Sequence, residues 1–462
     1  VTNRQAASVE DAFERALGAI LARVSASRGR IAVAYSGGLD SAALLHLAIA
    51  FCRAHHIELF AFHIHHGLSR NADMWLAHCE SECGALGIRF DARRVNVDAT
   101  EREGIEQAAR KQRYAALGEL CRLHEVSLLL TAHHQDDQAE TVLLQLLRGA
   151  GTAGLSGMAP VNTAPDLLGG DLPLLVRPLL DLTRSELEQF VSRRAIRYIE
   201  DESNSDVRYS RNALRHNIAP GLAVHFPGYQ QRIARAAAHA QSAQRLLDEL
   251  AAQDLRECGG VECVDVERLA RLSDDRQDNL LRHWFACHGV RMPSTAWLAE
   301  MRSQLLHARE DAQVRVVHPD CEVRRHRNRV FIIARRDEAG CVAAPKAFRW
   351  NGEARIHFPE FGGSLHFESA AIGVPSNWLE GQAMEIRLRQ GGEKLKAAPD
   401  RPMRSLKHHY QALDIPVWKR QRLPIVWAAG RLVFAAGVGI NWKDLPDASG
   451  PFLQLHWEND IS

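Results

Sequence analysis

The sequence predicts an α/β domain built on a doubly wound, mostly parallel sheet, followed by a small helical domain and a C-terminal α+β domain. Three observations carry that prediction. The first half alternates apolar strand-like runs with helical stretches, as a parallel sheet covered on both faces requires. A glycine turn, Ser36-Gly37-Gly38-Leu39-Asp40-Ser41, joins the first strand to the helix that follows it. The second half loses the alternation, with helices giving way to short β runs. The chain has 462 residues, too many for one ordinary domain. We expect domains at 1–224, 225–336 and 347–462.

The elements of the first half follow from periodicity. Residues 31–35 are apolar and strand-like, and residues 42–53 form a helix with Leu44, Leu45, Leu47 and Ile49 available for burial. Strands are expected at 57–65, 88–95 and 126–132, and helices at 72–86, 104–124 and 135–147. Ligands of such sheets bind at the carboxyl ends of the strands. Each motif that carries chemistry falls at one of those ends.

The glycine turn is the first of them. Adjacent glycines let backbone N–H groups approach an anion, and the helix N-terminus adds partial positive charge. The hydroxyls of Ser36 and Ser41 are further donors. No lysine follows the second glycine, so this is not the Walker-type loop. Asp40 stands in the turn instead. A carboxylate beside a phosphate needs a bridging cation, which points to Mg²⁺. The structural alternative is a helix cap with Asp40 or Ser41 as N-cap.

Two more strand ends carry polar clusters. The second strand finishes in His63-Ile64-His65-His66-Gly67-Leu68, and a later junction reads Thr131-Ala132-His133-His134-Gln135-Asp136-Asp137-Gln138-Ala139-Glu140-Thr141. Asp137 and Glu140 are three apart and share a helix face. With Asp40 they form a carboxylate set for Mg²⁺ or a base for an incoming amine. Acidic residues in a first helical turn also complement the macrodipole, which is the structural reading. The spacing is not that of a zinc site.

In the second half, residues 229–255 form a long helix with Ile233, Ala237, Ala240, Leu247 and Leu250 on one stripe. Residues 277–288 and 297–307 add helices, 314–334 turns strand-like, and 337–346 reads as a linker. β runs are expected at 354–358, 364–368, 384–388, 425–427 and 432–434. Arg401, Arg404, Lys407, Lys419 and Arg420 are interleaved with Tyr410 and Trp418. Basic residues among aromatics fit phosphate contacts with base stacking. The plainer reading is a solvated basic face.

Composition narrows the class. The net charge is +1, so no overall basicity announces a nucleic acid. No apolar run is long enough to span a bilayer and no signal-peptide pattern opens the chain. Nine cysteines without a Cys-x-x-Cys pair argue for a reducing cytosol and against a disulfide framework or zinc ribbon. Cys79 and Cys83 read as small helix-face residues.

The loop Ser36–Ser41 resembles the pyrophosphate-binding loop of the N-type ATP pyrophosphatases. Together with the His63–Leu68 and Thr131–Thr141 motifs, it is similar to the tRNA(Ile)-lysidine synthetase family. Arg110-Lys111-Gln112-Arg113-Tyr114, Leu147–Gly151, Val176–Leu180, Asp201–Asn204 and Arg211-Asn212-x-x-Arg215 extend the likeness through the first half. The resemblance implies a cytoplasmic, ATP-dependent ligase acting on tRNA(Ile) with a CAU anticodon and on free L-lysine. The wobble cytidine would be adenylated at its 2-carbonyl oxygen, and lysine would then displace AMP. Ser36, Gly37, Gly38, Leu39, Asp40, Ser41 and His63 would bind ATP. Asp40 and Asp137 would hold Mg²⁺. Arg113, His133, Asp137 and Glu140 would join Asp40 in catalysis, with the base for lysine undecided among His133, Asp137 and Glu140. Arg401, Arg404, Lys407, Lys419 and Arg420 would meet tRNA phosphates. A homodimer is compatible with the chain. The competing readings are a tRNA 2-thiolation enzyme, a small-molecule ligase of the same superfamily, and a catalytically dead tRNA-binding protein.

Overall fold

The computed structural model describes residues 8–24, 29–65, 67, 69, 71–95, 105–200, 210–309, 312, 314–334, 343–443, 445 and 450–460. The chain divides into two compact units, Val1–Leu250 and Ala251–Ser462.

The first unit is a six-stranded sheet in the order β3-β2-β1-β4-β6-β5. In chain order its elements are α1 (Val9–Arg23), β1 (Arg30–Ala34), α2 (Leu39–Ala54), β2 (Glu58–His65), α3 (Ala72–Leu86), β3 (Arg89–Arg94), α4 (Ile105–Leu123), β4 (Leu128–Leu130) and α5 (Gln135–Leu147). α6 (Thr152–Leu155), β5 (Val161–Asn162), α7 (Pro165–Leu168), β6 (Leu174–Val176) and α8 (Arg184–Arg193) complete the sheet region. α9 (Ser210–Ala213), a π-helical turn at Leu214–Ile218 and α10 (Ala219–His225) lead into α11 (Tyr229–Glu257), within which the division between the units falls.

β1 pairs parallel with β2 and β4, β2 with β3, and β4 with β6; only β5 runs antiparallel. The alternation of side chains splits the apolar residues between two faces. Ile31, Val33, Leu59, Ala61, Leu128, Leu130 and Val176 pack with α1, α2 and α8. Ala32, Phe60, Phe62, Leu129 and Leu175 pack with α4 and α7. The doubly wound prediction holds. Its strand order reverses between β1 and β4, the switch point at which such sheets open a crevice. α1 was not expected, yet its Phe13 and Leu17 are buried in this core.

The second unit opens with β7 (Val264–Asp265), α12 (Val266–Ala270), α13 (Asp274–Cys287) and α14 (Thr295–His307). β8 (Arg315–Val317), β9 (Cys321–His326) and β10 (Arg329–Ala334) form a four-stranded sheet with β7. Trp284, Phe285, Leu298, Met301, Val323 and Val330 are buried together between these helices and strands. The expected middle domain is thus as much β as α at its end.

The C-terminal part holds β11 (Lys346–Phe348), β12 (Arg355–Phe358), β13 (Gly363–Ala370), β14 (Val374–Pro375), α15 (Ser376–Glu380), β15 (Met384–Leu388), β16 (Lys394–Leu395) and β17 (Arg404–Ser405). It closes with α16 (Leu406–Ala412), α17 (Val417–Arg420), β18 (Pro424–Ala428), β19 (Arg431–Ala435), β20 (Gly439–Ile440) and β21 (Phe452–Asn459). A five-stranded sheet, β11-β15-β18-β19-β20, and a four-stranded sheet, β12-β13-β21-β14, share an aromatic core. β21 went unread in the sequence, although it pairs with β13 over eight residues. Among the described residues no helix is long and apolar enough to cross a membrane.

Candidate active site

The carboxyl ends of β1, β2 and β4 meet at a cavity of about 1230 Å³ in the first unit. Ser36, Gly38, Leu39, Asp40, Ser41, His63, Arg113 and His133 all line it. Residues from four separate sequence motifs therefore face one space.

The loop after β1 is shaped by its glycines. Gly37 has φ +85°, and a Cβ there would lie 2.9 Å from Cys79 Sγ and 3.0 Å from Ile199 Cδ1. Only glycine fits this conformation and this crowding. The Gly37 carbonyl accepts from Ile199 N at 2.9 Å, which straps the loop to a neighbouring segment. Ser36 Oγ and Ser41 Oγ are 3.0 Å apart, and Ser41 Oγ donates to the Gly38 carbonyl at 2.9 Å.

Gly38, not Asp40 or Ser41, is the N-cap of α2, and no side chain caps this helix. By contrast α1, α5 and α8 are each closed by a full capping box. An uncapped N-terminus beneath a glycine turn presents backbone donors to an anion.

Asp40 sits in the first turn of α2. Its Oδ2 accepts from Arg184 Nη1 at 2.9 Å, while its Oδ1 is buried without a hydrogen-bond partner. His134 Nε2 lies 3.7 Å from Asp40 Oδ1, beyond hydrogen-bond length, and 3.4 Å from Asp137 Oδ2. Burial disfavours a charged His134, yet Asp40, Asp137 and Asp136 outweigh it and raise the imidazole pKa.

Asp137 and Glu140 occupy a different place from the one expected. Neither lines the cavity. Asp137 is the N3 residue of a capping box with His134. Its Oδ1 accepts from Arg211 Nη2 at 2.9 Å and Arg215 Nη2 at 3.2 Å. Glu140 accepts from Arg211 Nε at 2.8 Å and from Arg215 Nε and Nη2 at 2.7 and 3.0 Å. Arg211 and Arg215 are one helical turn apart, so both reach the acidic face of α5. Burial works against charge on Asp137, but His134 and Arg211 hold its carboxyl below the usual range. Of this four-residue network only Arg215 reaches the cavity wall.

His133 Nδ1 is 2.9 Å from Thr131 Oγ1, whose hydroxyl donates to the Val176 carbonyl at 3.4 Å. A neutral imidazole keeps one donor and one acceptor nitrogen. Burial pushes the His133 pKa down, to about 3, so the ring is neutral. His63 Nδ1 donates to the Tyr35 carbonyl at 3.0 Å. Arg113 sits on α4, its guanidinium 5.6 Å from the Tyr114 ring centroid.

Arg184 escaped the sequence reading, because nothing local marks an arginine that reaches back to Asp40. Arg177 is buried and donates to Ala159 O and Asn162 Oδ1, tying β5 to β6. His66, Leu68 and Asp201–Asn204 lie outside the described residues. Among the described residues no group of three or more His, Cys, Asp or Glu forms a metal cluster.

The basic residues of the C-terminal part divide. Arg401, Arg404, Lys407 and Lys419 are exposed. Arg420 is 6% exposed and its Nε donates to the Ile415 carbonyl at 2.5 Å. Its expected phosphate contact is corrected: the guanidinium closes the turn before α17 and lies inside the fold.

Three family models match the chain. The PP-loop domain covers residues 9–222, the TilS substrate binding domain 265–331, and the TilS substrate C-terminal domain 384–457. The chain is 42% identical to the tRNA(Ile)-lysidine synthase of Burkholderia pseudomallei, over 93% of this chain and 94% of that protein. The tRNA(Ile)-lysidine synthase of Ralstonia nicotianae is 43% identical over 94% and 93%. That of Coxiella burnetii is 36% identical over 89% of each. With a pyrophosphate-type loop at the switch point and relatives matching along nearly its whole length, the chain belongs to the tRNA(Ile)-lysidine synthase family.

Proposed function

We propose that this chain converts the wobble cytidine of tRNA(Ile) with a CAU anticodon into lysidine, using ATP and free L-lysine. The observation that carries the assignment of the reacting centre is Asp40. It stands at an uncapped helix N-terminus, on a cavity wall, with one buried carboxylate oxygen unpartnered.

That oxygen supports a Mg²⁺ role. Mg²⁺ is usually held by one or two carboxylates plus substrate phosphates, so the lack of an all-protein cluster is no obstacle. Asp40 would hold the ion through Oδ1; Asp137, the second carboxylate expected from the sequence, stays off the cavity wall with Oδ1 on Arg211 and Arg215 and Oδ2 on the His134 N–H. The ion would neutralise charge on the leaving pyrophosphate.

The chain's own residues divide the remaining work. Backbone N–H groups of residues 37–41 and the hydroxyls of Ser36 and Ser41 cradle the β- and γ-phosphates. His63, fixed by Tyr35, lines the nucleotide side. Arg113 offers a planar cation to the α-phosphate as the cytidine 2-carbonyl oxygen attacks it. Pyrophosphate leaves and the base carries AMP. The lysine ε-amine then attacks C2 and AMP departs. The amine must lose a proton, and His133, neutral and on the cavity wall, is the base this reading assigns. Asp137 and Glu140, held on Arg211 and Arg215, act from behind, setting the charge around His133 and His134.

The 2-thiolation reading is less well supported. Burial pushes the thiols of Cys52, Cys79, Cys83 and Cys121 up to about 12, and among the described residues no cysteine lines the cavity. The free cysteines and a tRNA substrate favour a cytoplasmic setting. The test uses tRNA(Ile) and ATP labelled at the α-phosphate. Without lysine, label should enter the RNA as pyrophosphate is released. Adding lysine should release labelled AMP. ADP as the product would exclude this chemistry.

A further inference from the structure

Among the described residues of the second unit, Arg327, Asp414 and Ala429 occupy backbone positions that glycine favours, and the first two meet. Arg327 has φ +51° and Asp414 has φ +56°. Arg327 is the first central residue of the two-residue turn between β9 and β10, where positive φ calls for glycine. Asp414 follows α16 and its C-cap Leu413, with Ile415 N donating to the Tyr410 carbonyl, an arrangement in which glycine again leads. Their side chains pair: Arg327 Nη1 lies 3.0 Å from Asp414 Oδ1, and His326 Nε2 is 3.1 Å from the same oxygen. Backbone strain of this kind persists where surrounding contacts enforce it.

Both sides of the pair are anchored. Arg325 Nε donates to the Arg327 carbonyl at 2.9 Å, and Asn328 Nδ2 donates to Asp265 at 3.2 Å. Beyond Asp414, Trp418 packs on the outer face of the β9–β10 hairpin, its ring 5.7 Å from Phe331 and 5.9 Å from His326. The Arg324 guanidinium lies 5.5 Å from the Trp418 ring. Lys419, next in the chain, is exposed, and so are Arg404 and Lys407 around the start of α16.

We propose that Asp414 is a positioning residue: its clasp on Arg327 and His326, with Trp418 beside it, fixes the α16–α17 basic face against the β9–β10 hairpin, so that RNA meets one preset surface. This rests on the reading of Arg404, Lys407 and Lys419 as RNA contacts. An unclasped α16–α17 segment would have to be ordered by RNA at the moment of binding, which weakens binding without touching the chemistry.

Asp414→Asn is the informative variant, since asparagine tolerates positive φ and removes only the charge. The tRNA KM should rise about three- to tenfold, the range set by losing one or two half-exposed ion pairs. The KM values for ATP and lysine, and kcat at saturating tRNA, should hold. Hydrogen exchange should accelerate in 324–331 and 414–420 together and stay unchanged in β12–β13. The double variant Arg327→Gln with Asp414→Asn should be no worse than Asp414→Asn alone. Faster exchange with an unchanged tRNA KM, or a raised KM with unchanged exchange, would overturn the proposal. Arg404→Gln with Lys407→Gln separates the two levels. If that variant raises the tRNA KM while Asp414→Asn does not, the clasp fails alone. If neither raises it, the RNA-contact reading fails and the clasp with it.

Discussion

Arg184 Nη1 donates to Asp40 Oδ2 at 2.9 Å across 144 residues of sequence. The arginine is the first residue of α8, where the helix macrodipole disfavours a cation. Its position makes sense only through its partners, Asp40 and Glu188, the latter 3.0 Å away. Arg184 therefore competes with any cation for Asp40. Arg184→Gln should lower the Mg²⁺ concentration for half-maximal lysidine formation by about two- to fivefold, the equivalent of a partly exposed ion pair. A Mg²⁺ titration with an unchanged or higher midpoint would detach Arg184 from this role.

Asp40→Asn tests the reacting centre directly. Asp40 is not a cap, so its loss removes one partly exposed ion pair and a favourable charge at a helix start. Together these amount to about 1–2 kcal/mol, too little to unfold the domain. Lysine incorporation and AMP release should both vanish while the circular dichroism spectrum holds. Retained activity would remove Asp40 from the chemistry.

The sheet and its motifs were legible because apolar periodicity and glycine placement are local signals. The strand ends led to the Ser36–Ser41 loop, His63 and His133, and all of these except Gly37 line one cavity. What escaped depends on contacts far apart in sequence. Nothing near Arg184 announces Asp40. The buried state of Arg420 cannot be told from the basic stretch around it, since the turn at Ile415 decides it. Asp137 and Glu140 were read correctly as sharing a face, but Arg211 and Arg215, not the cavity, meet that face. β21 was missed because Phe452–Asn459 mixes charged and apolar residues on a strand whose partners lie some ninety residues earlier, on β13.

The Glu140 network should matter for stability as well as activity. Glu140 is 5% exposed and accepts three hydrogen bonds from two arginines. Glu140→Gln leaves those arginines facing a neutral amide. Breaking one partner of a buried pair costs about 3–5 kcal/mol. The thermal transition of the first unit should fall by several degrees, measured by calorimetry. An unchanged transition would mean that the arginines are readily re-solvated.

Acid sensitivity of the second unit should trace to Glu322. Arg315 and then Arg324 hold its carboxyl down to about 2, against burial that works the other way. Its folded pKa is depressed, so its contribution to stability is present above the unfolded value, near 4.5, and is lost as pH falls towards about 2. Glu322→Gln should reduce stability at pH 7 and make the second unit less pH-dependent between 4.5 and 2. Parallel acid-denaturation curves for the two proteins would contradict this.

The last prediction separates exposed from buried cations in the C-terminal part. Arg401, Arg404, Lys407 and Lys419 are exposed, and each phosphate contact they make should release counterions when tRNA binds. Replacing them with glutamine should reduce the slope of log affinity against log salt by roughly 0.7 to 0.9 per lost contact. The KM values for ATP and lysine should not move, because the site proposed for those ligands lies in the first unit. Arg420→Met should behave in the opposite manner. It removes a buried hydrogen bond to the Ile415 carbonyl, at a cost of about 1–3 kcal/mol. Its thermal transition should therefore fall while the salt slope stays at the parent value. A flattened slope in Arg420→Met, or an unchanged slope in the fourfold variant, would reverse this assignment of the basic surface.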